Sequence, residues 1–145
     1  MRIFKRKRFM KHLFVPLRIA SMIKEIDFNE QCIAEYVKGG IFKIHEQNHA
    51  DSGYEEDYFN TYSNQSPNFY LPNFTAAAPT YEQVLEWFRD VHKIHISINW
   101  SKREGGYCYN IIQLNEPNLI GPLTTYRNAL NEGIIHAYKI VKNKP

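Results

Sequence analysis

The stretch Ile94-His95-Ile96-Ser97-Ile98-Asn99-Trp100 alternates apolar and polar side chains without a break. Successive strand side chains point to opposite faces, so this is the pattern of a strand with one face buried. Ser101 to Gly106 read as a polar loop, and Tyr107 to Leu114 run back. One register keeps a face wholly apolar: Trp100 opposite Tyr107, Ile98 opposite Tyr109, and Ile96 opposite Ile111. A slip of one residue brings polar side chains into that face, so the pattern itself selects the register. The other face carries His95, Ser97, Asn99, Cys108 and Asn110.

Helices flank this hairpin. Pro79-Thr80-Tyr81-Glu82-Gln83 reads as a helix start, with Thr80 as cap, Gln83 completing a capping box, and Glu82 at the positive end of the helix dipole. Val84, Leu85, Phe88 and Val91 predict the buried stripe, with Trp87 at its margin and an end near Lys93. After the hairpin, Leu130, Ile134, Ala137 and Val141 recur at helical spacing and predict a helix from Thr125 to Val141. Gly133 costs that helix about 1 kcal/mol relative to alanine, which predicts close packing on a sheet at that point.

Upstream, the runs Cys32–Val37 and 41–46 bracket Gly39-Gly40. A two-residue turn there sets Val37 opposite Phe42 and Glu35 opposite Ile44. Glu35 then intrudes on an apolar face, which predicts a strand near a sheet edge. The whole reads as α+β: an antiparallel sheet from two ββα units, with the two main helices packed on one face. Residues 47–78 form a long irregular connection. Within it, Ser52-Gly53-Tyr54-Glu55 reads as a capping box that starts a short helix aligning Tyr54, Tyr58 and Tyr62. Phe69 to Phe74 read as an added edge strand.

Length and charge set the rest of the frame. A chain of 145 residues with 43% apolar side chains buries a core without disulfide or metal support. The two cysteines, Cys32 and Cys108, are read as reduced, partly buried thiols. Residues 1–21 hold seven Lys and Arg and no acid, whereas the remainder has a net charge of −4. The composition changes abruptly at Met22. The sequence therefore predicts a basic extension over 1–21, disordered or lying upstream of the natural start, and a single domain over 22–145. No apolar run approaches the roughly 20 residues of a membrane helix, and the expected location is cytoplasmic.

Ala78 to Arg89, His92 to Ile96 and Thr125 to Ile134 together resemble an uncharacterised family of small α+β proteins from gut Bacteroidales and their phages and mobile elements. The resemblance covers roughly residues 22–142. It implies an intracellular accessory protein that begins near Met22. No activity is established for that family, so no functional residue carries over.

His45-Glu46-Gln47-Asn48-His49 matches the zinc-protease pattern, in which two histidines one helical turn apart share a metal and the glutamate acts as base. Its context argues against that chemistry. In a strand the two histidines stand about 13 Å apart, and Asn48 to Gly53 favour a turn. No phosphate-binding loop, dinucleotide fingerprint or nucleophile elbow is present. No catalytic set, metal or cofactor is expected; His45 and His49 mark the alternative of a zinc hydrolase. The favoured expectation is a non-enzymatic protein-interaction module that binds through Tyr54, Tyr58, Tyr62, Lys102 and Arg103, because exposed aromatics on loops favour partner contact. Nucleic-acid binding through the basic tail is the other alternative.

Overall fold

In the computed structural model, Leu17–Glu25 is a helix (α1) that runs across the boundary expected at 21/22. The structure describes residues 10–44, 46–47, 58–59, 63–65, 74–112 and 120–145, with the backbone alone at 46–47 and 58–59. The chain divides into two units, Met1–Thr80 and Tyr81–Pro145.

In the first unit, the extension expected over 1–21 becomes part of the core from residue 14 onward. Phe14 is 4% exposed and Val15 0%, and Ile19, Ala20 and Ile23 are buried along one side of α1. Lys11 and Arg18 stay in solvent. The basic composition thus conceals an apolar face that a short helix can bury. The backbone ties down too: Val15 N donates to Pro79 O at 3.0 Å, and Tyr36 Oη donates to Val15 O at 2.8 Å.

At the other end of α1, Asp27 N donates to Lys24 O and Phe28 N to Ile23 O, with Asp27 at φ +66°. This is a Schellman stop whose left-handed position is usually glycine. Asp27→Gly is expected to raise the thermal stability of this unit by up to about 1 kcal/mol, read by calorimetry. An unchanged or lowered midpoint would contradict it.

Three strands follow in one antiparallel sheet of order β2-β1-β5: Ala34–Val37 (β1), Ile41–Ile44 (β2) and Phe74–Ala77 (β5). Between them, Glu46–Gln47 (β3) pairs with Tyr58–Phe59 (β4). The first hairpin differs from expectation by one residue: Val37 pairs with Ile41 and Tyr36 with Phe42. The loop has three residues because Gly40 N returns to Val37 O. Gly39 at φ +85° then takes the turn position that requires a left-handed residue, and Gly40 at φ +73° follows it.

β1 is central rather than near an edge, and Glu35 is fully buried. The reason is β5. Ala76, Ala77 and Ala78 are small enough to be wholly buried against their neighbours, and Asn64 fastens the strand by accepting from Ala77 N and donating to Phe28 O. The connection expected over 47–78 therefore supplies a core strand. Of the strand expected at 69–74, Phe74 alone is described, as the first residue of β5; residues 66–73 lie outside the described residues. At Tyr58–Phe59 the backbone is strand rather than the expected helix, in keeping with the β preference of aromatic residues.

The second unit begins with α2, Tyr81–His92, whose buried residues are Tyr81, Val84, Trp87 and Phe88. The stripe is rotated from the one expected: Val91 is exposed and Trp87 is buried. The larger aromatic surface decides this. Trp87 meets Phe88 and His92 edge to face, with ring centroids 5.1 and 4.6 Å apart. Burial, followed by the nearby Lys144 charge, holds the His92 pKa below its ordinary 6.5. The unfolded chain thus binds a proton at a pH where the folded unit does not. Stability is complete above pH 6.5 and falls as the pH drops through the depressed folded value. A His92→Gln variant is expected to flatten that part of a melting-temperature profile, and an unchanged slope would refute the assignment.

The alternating segment forms Ile96–Ser101 (β6) and Gly106–Ile111 (β7), joined by pairs Trp100–Tyr107, Ile98–Tyr109 and Ile96–Ile111 as the pattern requires. Ile120–Leu123 (β8) completes a sheet of order β6-β7-β8, and Tyr126–Lys142 (α3) packs on it. Thr125 caps α3, its hydroxyl accepting from Asn128 N at 3.0 Å. α2 packs against α3, and α1 against β5. The class is α+β with antiparallel sheets. The two hairpins lie in two three-stranded sheets rather than one, because each acquires a third strand of its own, β5 or β8.

Candidate functional site

The apolar face of β6 and β7 continues beyond the helix that covers it. α3 lies over the Ile96 end: a Cβ on Gly133 would stand 2.8 Å from Ile96 Cγ2 and 3.5 Å from Tyr109 Cβ. Two turns earlier α3 begins, at Tyr126, and there Trp100 emerges with 60% of its surface exposed. Trp100, expected in the core, is thus a surface residue because the strand outruns the start of the helix.

Three aromatic rings make a row at this end. Trp100 meets Tyr107 with centroids 5.0 Å apart at 77°, and Tyr107 meets Tyr126 at 5.9 Å and 85°. Tyr126 is 51% exposed. Edge-to-face contacts fix the rings relative to one another. Beside them the β6–β7 turn is held by Gly105 N on Ser101 O and Glu104 N on Ser101 Oγ. That turn lifts Lys102 and Arg103 into solvent, the Arg103 side chain being 94% exposed. The Glu104 carboxylate lies at the outer limit of an ion pair with it, 4.0 Å.

A second feature lies on the same sheet. A surface pocket of about 260 Å³ is lined by Tyr109, Ile120, Glu132, Ile135, His136 and Lys139. Tyr109 Oη is 3.2 Å from His136 Nδ1. Burial, then the Glu132 charge, pushes the Tyr109 pKa up. The phenol therefore stays protonated at neutral pH and is no base there. Among the described residues, no three His, Cys, Asp or Glu side chains gather as a metal site.

The remaining sequence candidates are distributed differently. Tyr54, Tyr62, His45 and His49 lie outside the described residues, and of Tyr58 the backbone alone is described, paired with Gln47. Glu46 and Gln47 of the histidine motif are in strand, not in the helix that a shared metal requires. Lys102 and Arg103 sit beside the aromatic row. Sequence reasoning missed Tyr126 and misplaced Trp100; the signal was the start of α3 at Thr125, which leaves the far end of β6 uncovered. It also missed the Tyr109–His136 contact, which depends on how α3 lies on β7.

Cys32 and Cys108 are both buried and unlinked. Burial, with Glu30 adding to it, pushes the Cys32 thiol up to about 12, so it is unreactive in the folded state. No helix among the described residues is long and apolar enough to cross a membrane. Comparison of the chain with family models, with curated proteins and with solved structures finds no match in any of the three.

Proposed function

We propose that this protein is a non-enzymatic interaction module that holds a protein partner on the aromatic row of Trp100, Tyr107 and Tyr126, with Lys102 and Arg103 at its side. The observation that carries the reading is Trp100, a strand residue 60% exposed and held edge to face by Tyr107. Leaving so large an apolar side chain in water forgoes roughly 1–2 kcal/mol of burial. Rigid aromatic rings beside an arginine are the anchors that dominate protein contacts. Successive nucleotide bases stack instead on open ring faces along a basic groove; here the rings meet at 77° and 85°. An accessory role in a phage or mobile element is part of the proposal, on the strength of the resemblance in Ala78 to Arg89 and Thr125 to Ile134.

The test is capture from nuclease-treated lysate of the source organism on the immobilised full chain, wild type beside Trp100→Ala. At least one protein is expected to be held by the wild type and lost by a variant whose melting temperature is unchanged. Identical retention by both, or a partner that disappears with nuclease, would overturn the reading.

A further inference from the structure

We infer that the partner presents an extended, acid-flanked segment that adds as a fourth strand to the open edge of β6; this rests on the interaction reading above. Among the described residues, the sheet order β6-β7-β8 makes β6 an edge. Ile112 N donates to His95 O, and the β6–β7 register is continuous over six pairs. In an antiparallel ladder, directly opposed residues either exchange both bonds or none, in alternation. Odd-numbered residues of β6 therefore bond to β7, and the N–H and C=O groups of Ile96, Ile98 and Trp100 point to the open edge.

Such an edge is ordinarily blunted by a charge, a proline, a bulge or a very short strand. β6 has six residues, Ile-Ser-Ile-Asn-Trp-Ser, with no charge, no proline and no break in register. Both of its ends are basic. Lys93 is exposed before it, and Lys102 and Arg103 after it. A strand of six residues spans about 20 Å, so a segment with Asp or Glu on either side of an alternating centre meets cations at each end. Antiparallel pairing of β6 with β6 of a second copy would instead set Lys102 and Arg103 against Lys93, a juxtaposition of like charges. Charge complementarity thus favours the acidic segment, and main-chain pairing supplies the affinity as in other strand-addition complexes.

The test uses the full chain and a pool of nine-residue peptides with Asp or Glu at positions 1, 2, 8 and 9 and mixed Val, Thr and Tyr between. A matched pool carries Lys at the same four positions. The wild type is expected to retain the acidic pool at least tenfold over the basic one. Ile98→Pro removes an outward N–H without touching the β7 ladder and is expected to abolish retention, whereas Ile98→Ala keeps it. The doubly reversed Lys102→Glu, Arg103→Glu variant alters only exposed side chains and is expected to lose the preference for acid. Equal retention of both pools, or retention by a folded Ile98→Pro variant, would overturn the inference. So would a concentration-dependent dimer that Ile98→Pro abolishes, since a second copy would then hold the edge. If a Trp100-dependent lysate partner survives Ile98→Pro, the edge assignment fails while the interaction reading stands; if no Trp100-dependent partner exists, the reading itself fails.

Discussion

A chain that begins at Met22 is expected to lose the folded state of the Met1–Thr80 unit. The cut falls inside α1 and removes Phe14, Val15, Ile19 and Ala20, each no more than 4% exposed. Burying the three larger side chains is worth roughly 4.5–9 kcal/mol at about 1.5–3 kcal/mol each. That equals much of the about 5–15 kcal/mol by which a whole domain is stable. The cut also strips the acceptor of the Tyr36 hydroxyl, Val15 O, and the donor to Pro79 O, and a buried group left without its partner costs a further roughly 1–3 kcal/mol. The measurement is thiol labelling at neutral pH combined with calorimetry. In the full chain Cys32 is shielded, with a thiol pKa near 12; in the Met22 chain it should label as fast as in urea. A chain beginning at residue 10 keeps every buried side chain named here and should protect Cys32 as the full chain does. Full protection in the Met22 chain would show that the segment is dispensable, as its composition implied.

Gly133→Ala is expected to destabilise the Tyr81–Pro145 unit, against the helix preference of the two residues. Alanine in mid-helix is favoured by about 1 kcal/mol. The new methyl group, however, would stand 2.8 Å from Ile96 Cγ2. That carbon is on a β-branched side chain with one stiff torsion, in a strand held by six pairs to β7, so it cannot swing aside. Overpacking of this kind costs about 1–3 kcal/mol, and Gly133→Val, with two more carbons and a poorer helix former, should cost more. Thermal unfolding monitored through α3 checks the sign. The double variant with Ile96→Ala should lose less than the two single losses combined, because Ile96→Ala removes the carbon that clashes. A gain in stability for Gly133→Ala alone would mean that α3 can rise from the sheet.

The aromatic row inherits its geometry from this packing. Gly133 brings α3 down onto Ile96 and Tyr109, and the helix, placed so, begins at Tyr126, short of covering Trp100. A helix that sat elsewhere on the strand would cover the tryptophan. The contact that builds the unit therefore also exposes its candidate binding surface.

Local patterns in the chain determined several elements by themselves. Strict alternation from Ile94 to Trp100 fixed the β6–β7 register, because period-two side chains admit one pairing that keeps a face apolar. Helical spacing from Leu130 to Ala137 and the capping hydroxyl of Thr125 marked α3, and Gly133 marked the point where it meets the sheet. Each of these signals acts over neighbours in sequence. What depended on distant residues was decided by the tertiary structure. α1 is stable because Phe14, Val15 and Ile19 find a buried environment, which the basic composition around them hides. β1 became central because β5 arrived from some forty residues away, and Glu35 was buried with it. The buried side of α2 turned toward Trp87 because the ring finds Phe88 and His92 to pack on. Trp100 reads as core in sequence and stands in solvent because coverage depends on where another element begins, and alternation along a strand carries no information about that.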